Sequence, residues 1–169
     1  RFLTKIGVEV GGIGSHSLCV SGKKGLRAAC DHTVTPDYLE AGAFLLAGIV
    51  TRGRVTVQGA DAHDLTSFLG ALKRAGANMS IDRKTGDIVA DGTTSVLRAT
   101  RIQTNIFPGF PTDLQATFGV LLTQAEGVSR IFEVLFEGRM AYLYEVEKMG
   151  ARIEILNSHQ ALIIGPTPL

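Results

Sequence analysis

The chain has 169 residues, 45% of them hydrophobic and 20% charged, enough to bury one substantial core and close to the usual size of a single domain. Seventeen basic residues against sixteen acidic ones leave a net charge of +1, so bulk electrostatics favour neither nucleic acid nor a membrane surface as partner. No apolar run approaches the ~20 residues of a membrane helix and the N-terminus does not read as a signal peptide; two cysteines without CxxC spacing suggest a reducing compartment, so a cytoplasmic protein is expected.

In chain order, the residues before Gly7 read as the last turns of a helix. Because the chain opens at Arg1 without an initiator methionine, a front portion is expected to be missing. Gly11-Gly12-Ile13-Gly14-Ser15 has the glycines of a phosphate-cradling loop, yet it lies between two short strands and opens no helix, which predicts a tight hairpin turn. Cys19, in the alternating run 17–21, reads as a buried strand cysteine, and Cys30 follows Ala28 and Ala29 in another strand-like stretch. Neither is expected to act as a nucleophile. A helix is predicted over 37–51, and its residues 41–50 are apolar nearly all round, the mark of a buried helix. A strand at 54–58, a helix ending at Gly76 and strand-like runs at 77–82 and 87–90 follow. The same succession then recurs, with a helix over 113–126, a strand over 129–136, a helix ending at Gly150 and a final strand pair before Gly165.

The recurrence is a repeat. Four residues before Gly7, Gly76 and Gly150 stand Leu3, Leu72 and Val146; two before stand Lys5, Arg74 and Lys148; just after stand Val8, Ala77 and Ala151. A glycine past a helix end takes the left-handed conformation that closes it, and a cation in the last turn complements the helix dipole. A further glycine follows each of these, at Gly22, Gly92 and Gly165. The unit reads strand, helix, strand, helix, strand, strand. The fold class expected is therefore α+β, built from βαβαββ repeats with sheets packed around buried helices. Residues 1–36 are read as the tail of a preceding repeat, and 37–169 as two repeats forming one folded body.

Chemistry is sought first at Phe-Pro-Gly-Phe-Pro-Thr-Asp-Leu-Gln-Ala-Thr (107–117), where Asp113 stands at a helix start far in sequence from any basic residue. On residue physics alone the commoner fate of Thr112 or Asp113 is to cap that helix. A carboxylate at a helix N-terminus is held charged, so in a site it would serve as a base or as an acceptor for a hydroxyl. The second candidate is the run Phe-Glu-Val-Leu-Phe-Glu-Gly-Arg (132–139), where Glu137 and Arg139 could simply pair as a solvated salt bridge at a turn. If the two segments share one edge of a sheet, a ligand cleft would collect them. His16, His32, His63 and His159 show no HxH or HExxH spacing, so no metal site is expected.

Pro108-Gly109-Phe110-Pro111-Thr112-Asp113-Leu114-Gln115-Ala116, Ala125-Glu126-Gly127, Phe136-Glu137-x-Arg139 and Met149-Gly150-Ala151 together resemble the enolpyruvyl transferase family, in matching order throughout residues 1–169. The Pro-Thr-Asp-x-Gln and Phe-Glu-x-Arg runs look like its sugar-nucleotide branch. The resemblance implies a two-lobed enzyme, three repeats to a lobe, that moves the enolpyruvyl group of phosphoenolpyruvate to the 3′-hydroxyl of UDP-N-acetylglucosamine in peptidoglycan precursor synthesis, without a cofactor. It gives Asp113 the sugar hydroxyl and the role of base, Leu135 a backbone contact with the nucleotide sugar, Phe136 a place among the substrate-binding residues, and Glu137 and Arg139 the phosphoenolpyruvate side of the cleft. It also implies that this stretch is the later-middle part of a longer chain, that Cys19 and Cys30 match no functional cysteine, and that the chain without its second lobe is inactive. Gly138, Met140 and Tyr142 depart from the family's usual asparagine, aromatic and histidine. The rival expectation is a non-catalytic module that binds a sugar nucleotide or associates with itself through uncovered repeat ends.

Overall fold

The computed structural model describes residues 1–22, 24–26 and 29–169. It divides into two compact units, Arg1–Pro36 and Asp37–Leu169. The first holds a short helix, α1 (Phe2–Lys5), and a two-stranded antiparallel ribbon, β1 (Glu9–Gly11) and β2 (Cys19–Ser21), with Val10 opposite Val20. The glycine run makes the expected hairpin turn, fastened by Ser15 Oγ, which donates to Gly12 O at 2.7 Å and to Ser17 O at 2.9 Å. Cys19 is exposed, which corrects the expectation of burial: β2 exposes all three of its residues, because a ribbon this short has no second layer in its unit to pack against. The strand-like stretch expected at Ala28 to Cys30 lies partly outside the described residues, and Ala29 and Cys30 carry no regular structure.

The second unit contains α2 (Tyr38–Val50), β3 (Arg54–Val57), α3 (Thr66–Arg74), β4 (Asn78–Ile81) and β5 (Ile88–Asp91), then β6 (Arg101–Gln103), α4 (Gln115–Thr123), β7 (Gly127–Phe132), α5 (Tyr142–Lys148), β8 (Arg152–Asn157) and β9 (Gln160–Gly165). Short 3-10 turns at Thr112–Leu114 and Arg139–Ala141 lead into α4 and α5. The later repeat has the full βαβαββ order in a four-stranded sheet, β6-β7-β9-β8, in which only β6 and β7 run parallel. The earlier repeat has a three-stranded antiparallel sheet, β3-β5-β4. A strand matching β6 would have to precede Asp37, and residues 29–36 contain no ladder residue. The α+β repeat class therefore holds, with one strand fewer in the first sheet.

Asp37 starts α2 by accepting from the N–H groups of Leu39 (2.8 Å) and Glu40 (3.3 Å). The helix buries Ala41, Leu45, Leu46 and Ile49 against β3, β5 and α4. Its burial is not complete: Phe44 is 56% exposed and Ala47 is exposed, on a stripe those three neighbours do not reach. The three helix ends singled out by the repeat are all Schellman motifs. The N–H groups of Gly7, Gly76 and Gly150, each at positive φ, reach the carbonyls of Thr4, Lys73 and Glu147, while those of Val8, Ala77 and Ala151 reach Leu3, Leu72 and Val146. The recurring apolar pairs stand at the positions between which such a closure commonly carries a hydrophobic contact.

The second repeated glycine has a different cause. A Cβ on Gly92 would lie 2.6 Å from Gly48 O and 2.7 Å from Ile49 O, and one on Gly165 would lie 2.4 Å from Ala125 O and 2.6 Å from Thr123 O. In both repeats the last strand thus ends against the carbonyls at the end of the central helix, α2 or α4, and only glycine fits there. Nothing lies within 4 Å of the corresponding position at Gly22. Gly92→Ala and Gly165→Ala should each destabilise the protein by about 1–3 kcal/mol as overpacking substitutions. Gly22→Ala should leave stability within about 0.5 kcal/mol; urea unfolding of the three variants checks both.

Candidate functional site

Parallel strands β6 and β7 end side by side, with Gln103 opposite Phe132, and each runs into a loop at that edge of the sheet. The first loop is anchored by Phe110, which is buried with its ring edge-on to Phe118 of α4 at 5.4 Å and tilted against Phe68 of α3 at 6.0 Å. The Asn105 N–H donates to Phe110 O at 2.9 Å and the Gly109 N–H to Ile106 O at 2.8 Å, closing the loop on itself. Pro111, extended, then delivers Thr112 and Asp113 into a 3-10 turn. The chain reverses so sharply here because an aromatic anchor sits between two prolines, one of which has no N–H to lose at a helix start.

Neither Thr112 nor Asp113 caps the helix, contrary to the expectation from residue physics. Asp113 Oδ1 instead accepts from Arg139 Nη1 at 2.7 Å, and the same Nη1 donates to Thr112 Oγ1 at 3.1 Å. A charged guanidinium is a stronger partner for a carboxylate than neutral backbone amides, and the 3-10 turn already closes with its own bond from Leu114 N–H to Pro111 O. The expected Glu137 to Arg139 pair is also absent. Left-handed Gly138 separates them: Arg139 turns inward over the Phe136 ring, 4.9 Å from its centroid, while Glu137 is exposed with His159 Nε2 at 3.7 Å.

Asp113, Thr112 and Leu135 line a cleft of ≈ 160 Å³ together with Asn105, Tyr38 and Asp64. Tyr38 opens α2 and Asp64 precedes α3, so the cleft lies at the seam between the two repeats. Burial, and then the negative charges of Asp113, Asp37 and Asp64, push the Tyr38 phenol up from its ordinary value, which keeps it a hydrogen-bond donor. The structure therefore gathers Asp113, Leu135, Phe136 and Arg139, whereas Glu137 stands on the outer side of its loop. A larger groove of ≈ 580 Å³ between α3 and β4 contains no carboxylate and none of these residues. Among the described residues no group of three His, Cys, Asp or Glu side chains is placed to hold a metal ion, and no helix is long and apolar enough to cross a membrane.

The residue that sequence reasoning passed over is Glu133, which is fully buried. Its Oε1 accepts from Thr104 Oγ1 (2.8 Å), Leu135 N–H (2.9 Å) and Phe136 N–H (3.3 Å), and its Oε2 accepts from Thr112 Oγ1 (2.7 Å). The available signal was an acid enclosed by Phe132, Val134 and Leu135, a poor setting for a solvated charge. Of the three departures, Gly138 occupies a left-handed position that asparagine also tolerates. Met140 is buried with its sulfur 3.2 Å from Gln115 Nε2. The Tyr142 phenol is pushed far up by burial and then by the charge of Glu133.

The βαβαββ repeat fold is shared with the enolpyruvyl transferases. The family model of EPSP synthase (3-phosphoshikimate 1-carboxyvinyltransferase) matches residues 1–168, and the chain belongs to this family. It is 38% identical over 165 residues to the UDP-N-acetylglucosamine 1-carboxyvinyltransferase of Methylacidiphilum infernorum, covering 98% of this chain and 38% of that protein. It is 40% identical over 165 residues to the protein of the same name from Shewanella amazonensis, covering 96% and 38%. The enolpyruvyl transferase NikO from Streptomyces tendae superposes with a TM-score of 0.84 at 25% identity, over 98% of this chain and 39% of that one. EPSP synthase from Acinetobacter baumannii shares the fold, with a TM-score of 0.68 at 20% identity over 98% and 39%. The chain thus spans under two fifths of the length of these curated relatives. Phe110→Ala should cost about 3–5 kcal/mol, read by chemical denaturation, because it removes the anchor under Asp113 from a packed aromatic cluster.

Proposed function

We propose that the full-length protein transfers the enolpyruvyl group of phosphoenolpyruvate to the 3′-hydroxyl of UDP-N-acetylglucosamine, a cytoplasmic step in peptidoglycan precursor synthesis. Residues 37–169 are two repeats of one lobe in this reading, and residues 1–36 are the tail of a repeat of the other. The observation that carries it is the Asp113 to Arg139 pair at the mouth of the cleft, at 2.7 Å, in a chain whose curated relatives are named for that transfer. In the net reaction the sugar oxygen forms a bond to the enol carbon, the bond from that carbon to the phosphate oxygen breaks, and the hydroxyl proton must leave.

Asp113 takes the role of acceptor for the hydroxyl proton, and Arg139 orients the carboxylate and faces the anionic donor. Leu135 fits a backbone contact with the nucleotide sugar: its N–H is already spent on Glu133, so the contact would be made by its carbonyl. Phe136 supports the Arg139 guanidinium from below. Glu137 belongs to the phosphoenolpyruvate side only if its exposed loop is covered by the second lobe. The chain without that lobe is expected to be inactive.

In the full-length protein, Asp113→Ala should lower phosphate release by roughly 10²-fold or more. Asp113→Asn, which keeps shape and loses charge, should fall nearly as far; turnover at the wild-type rate in either variant removes Asp113 from the chemistry. A second reading rests on an uncovered apolar groove of ≈ 190 Å³ between α2 and α4, lined by Leu46, Val50 and Val120. A repeat module that associates through this face would sediment as a dimer in a concentration-dependent way and show no affinity for the nucleotide sugar.

A further inference from the structure

We infer that Glu133 is a positioning residue for this transfer, acting on the two sides of the cleft through its two oxygens; the inference rests on the function proposed above. Glu133 touches no cleft surface itself. Its Oε1 gathers the N–H groups of Leu135 and Phe136, and Thr104 Oγ1, which it also holds, accepts from Val134 N–H at 3.0 Å. Three successive amides of the substrate-facing loop are thereby tied to one buried carboxylate. Its Oε2 takes the hydroxyl proton of Thr112, so the lone pairs of Thr112 are left to receive Arg139 Nη1, which in turn reaches Asp113. One oxygen sets the wall offered to the nucleotide sugar and the other sets the direction of the charged pair.

The carboxylate is suited to this because it is acceptor-only and can satisfy several donors at once, whereas a glutamine offers one acceptor oxygen and an NH₂ group that donates. A buried acid left without donors would be costly, so the network is complete or it is lost. The backbone adds a further tie: Glu133 N–H donates to His159 O at 2.8 Å, and its carbonyl lies 2.7 Å from His159 Nδ1, which pins the residue to the turn between β8 and β9.

The test is steady-state kinetics on the full-length protein carrying Glu133→Ala or Glu133→Gln. Glutamine keeps an acceptor for the loop amides but presents an N–H to Thr112, so it should restore one function and not the other. Glu133→Ala is expected to raise KM for UDP-N-acetylglucosamine and to lower kcat, each by roughly tenfold. Glu133→Gln is expected to return KM to within about twofold of wild type while kcat stays roughly tenfold low. The inference is overturned if both variants keep kcat and KM within about twofold, or if kcat falls only in proportion to the folded fraction measured by circular dichroism. Should the wild-type protein release no phosphate from these substrates, the functional reading fails, and hydrogen exchange decides the positioning role. Selectively faster exchange of the Leu135 and Phe136 amides in Glu133→Ala, with Ile131 in β7 unchanged, supports it; equal exchange overturns it.

Discussion

A carboxylate removed from water has to recover its hydration from protein donors, and that requirement organises the candidate site. Glu133 recovers it from the end of β6, from the turn that opens α4 and from the loop after β7. The first two donors lie 29 and 21 residues from Glu133, so the acid is satisfied only when the parallel pair β6 and β7 is formed, Phe110 is seated and the loop is folded back. The geometry of exposed Asp113 and half-buried Arg139 follows from that buried demand. Their own pairing is partly solvated, a setting in which an ion pair contributes little to stability; it orients two functional groups that the buried network has already brought close.

The parts of this fold that could be read from the sequence are those decided within about six residues. Asp37 capping α2 and the Schellman closures at Gly7, Gly76 and Gly150 depend on local backbone geometry, and their side-chain patterns recur because that geometry recurs. Local rules failed where a distant group competed. They offered Asp113 the amides of its own helix and offered Arg139 the nearby Glu137, but a guanidinium 26 positions away in sequence from Asp113 outweighed both. Cys19 was misjudged for a related reason, since alternation predicts which face of a strand is apolar and says nothing of whether another layer covers it. The order of elements put the Asp113 and Arg139 segments in one cleft only on the condition of a shared sheet edge, and family resemblance supplied the roles of the two residues. Glu133 escaped because its partners lie up to 29 residues away and its apolar neighbours hid it as part of a strand.

The cleft is assembled across a seam. Tyr38 and Asp64 come from the earlier repeat, and Asn105, Thr112, Asp113 and Leu135 come from the later one. The seam is held by α2 packing on α4 and on the turn that precedes it, where Leu114 lies so close to Gly42 that a Cβ there would stand 2.5 Å from Leu114 Cδ1. A close approach between the two repeats therefore involves the residue that directly follows Asp113. Changes in the packing of the buried helices would be felt at the site within one residue of the charged pair.

The glycines that end β5 and β9 carry a consequence for how such a protein could arise. The atoms nearest to a Cβ on Gly92 belong to the α2 end of its own repeat, and those nearest to one on Gly165 to the α4 end of its own. These two fits are thus internal to each unit, and gene duplication would copy them whole, with no need for the two copies to adjust to one another at these positions. Duplication would create one new boundary, the helix seam, and the cleft lies on that boundary. After the copying event, residues such as Tyr38 and Asp113 could diverge separately while the folding code of each unit stayed fixed, so one unit could be specialised for chemistry and its sibling for shaping the entrance.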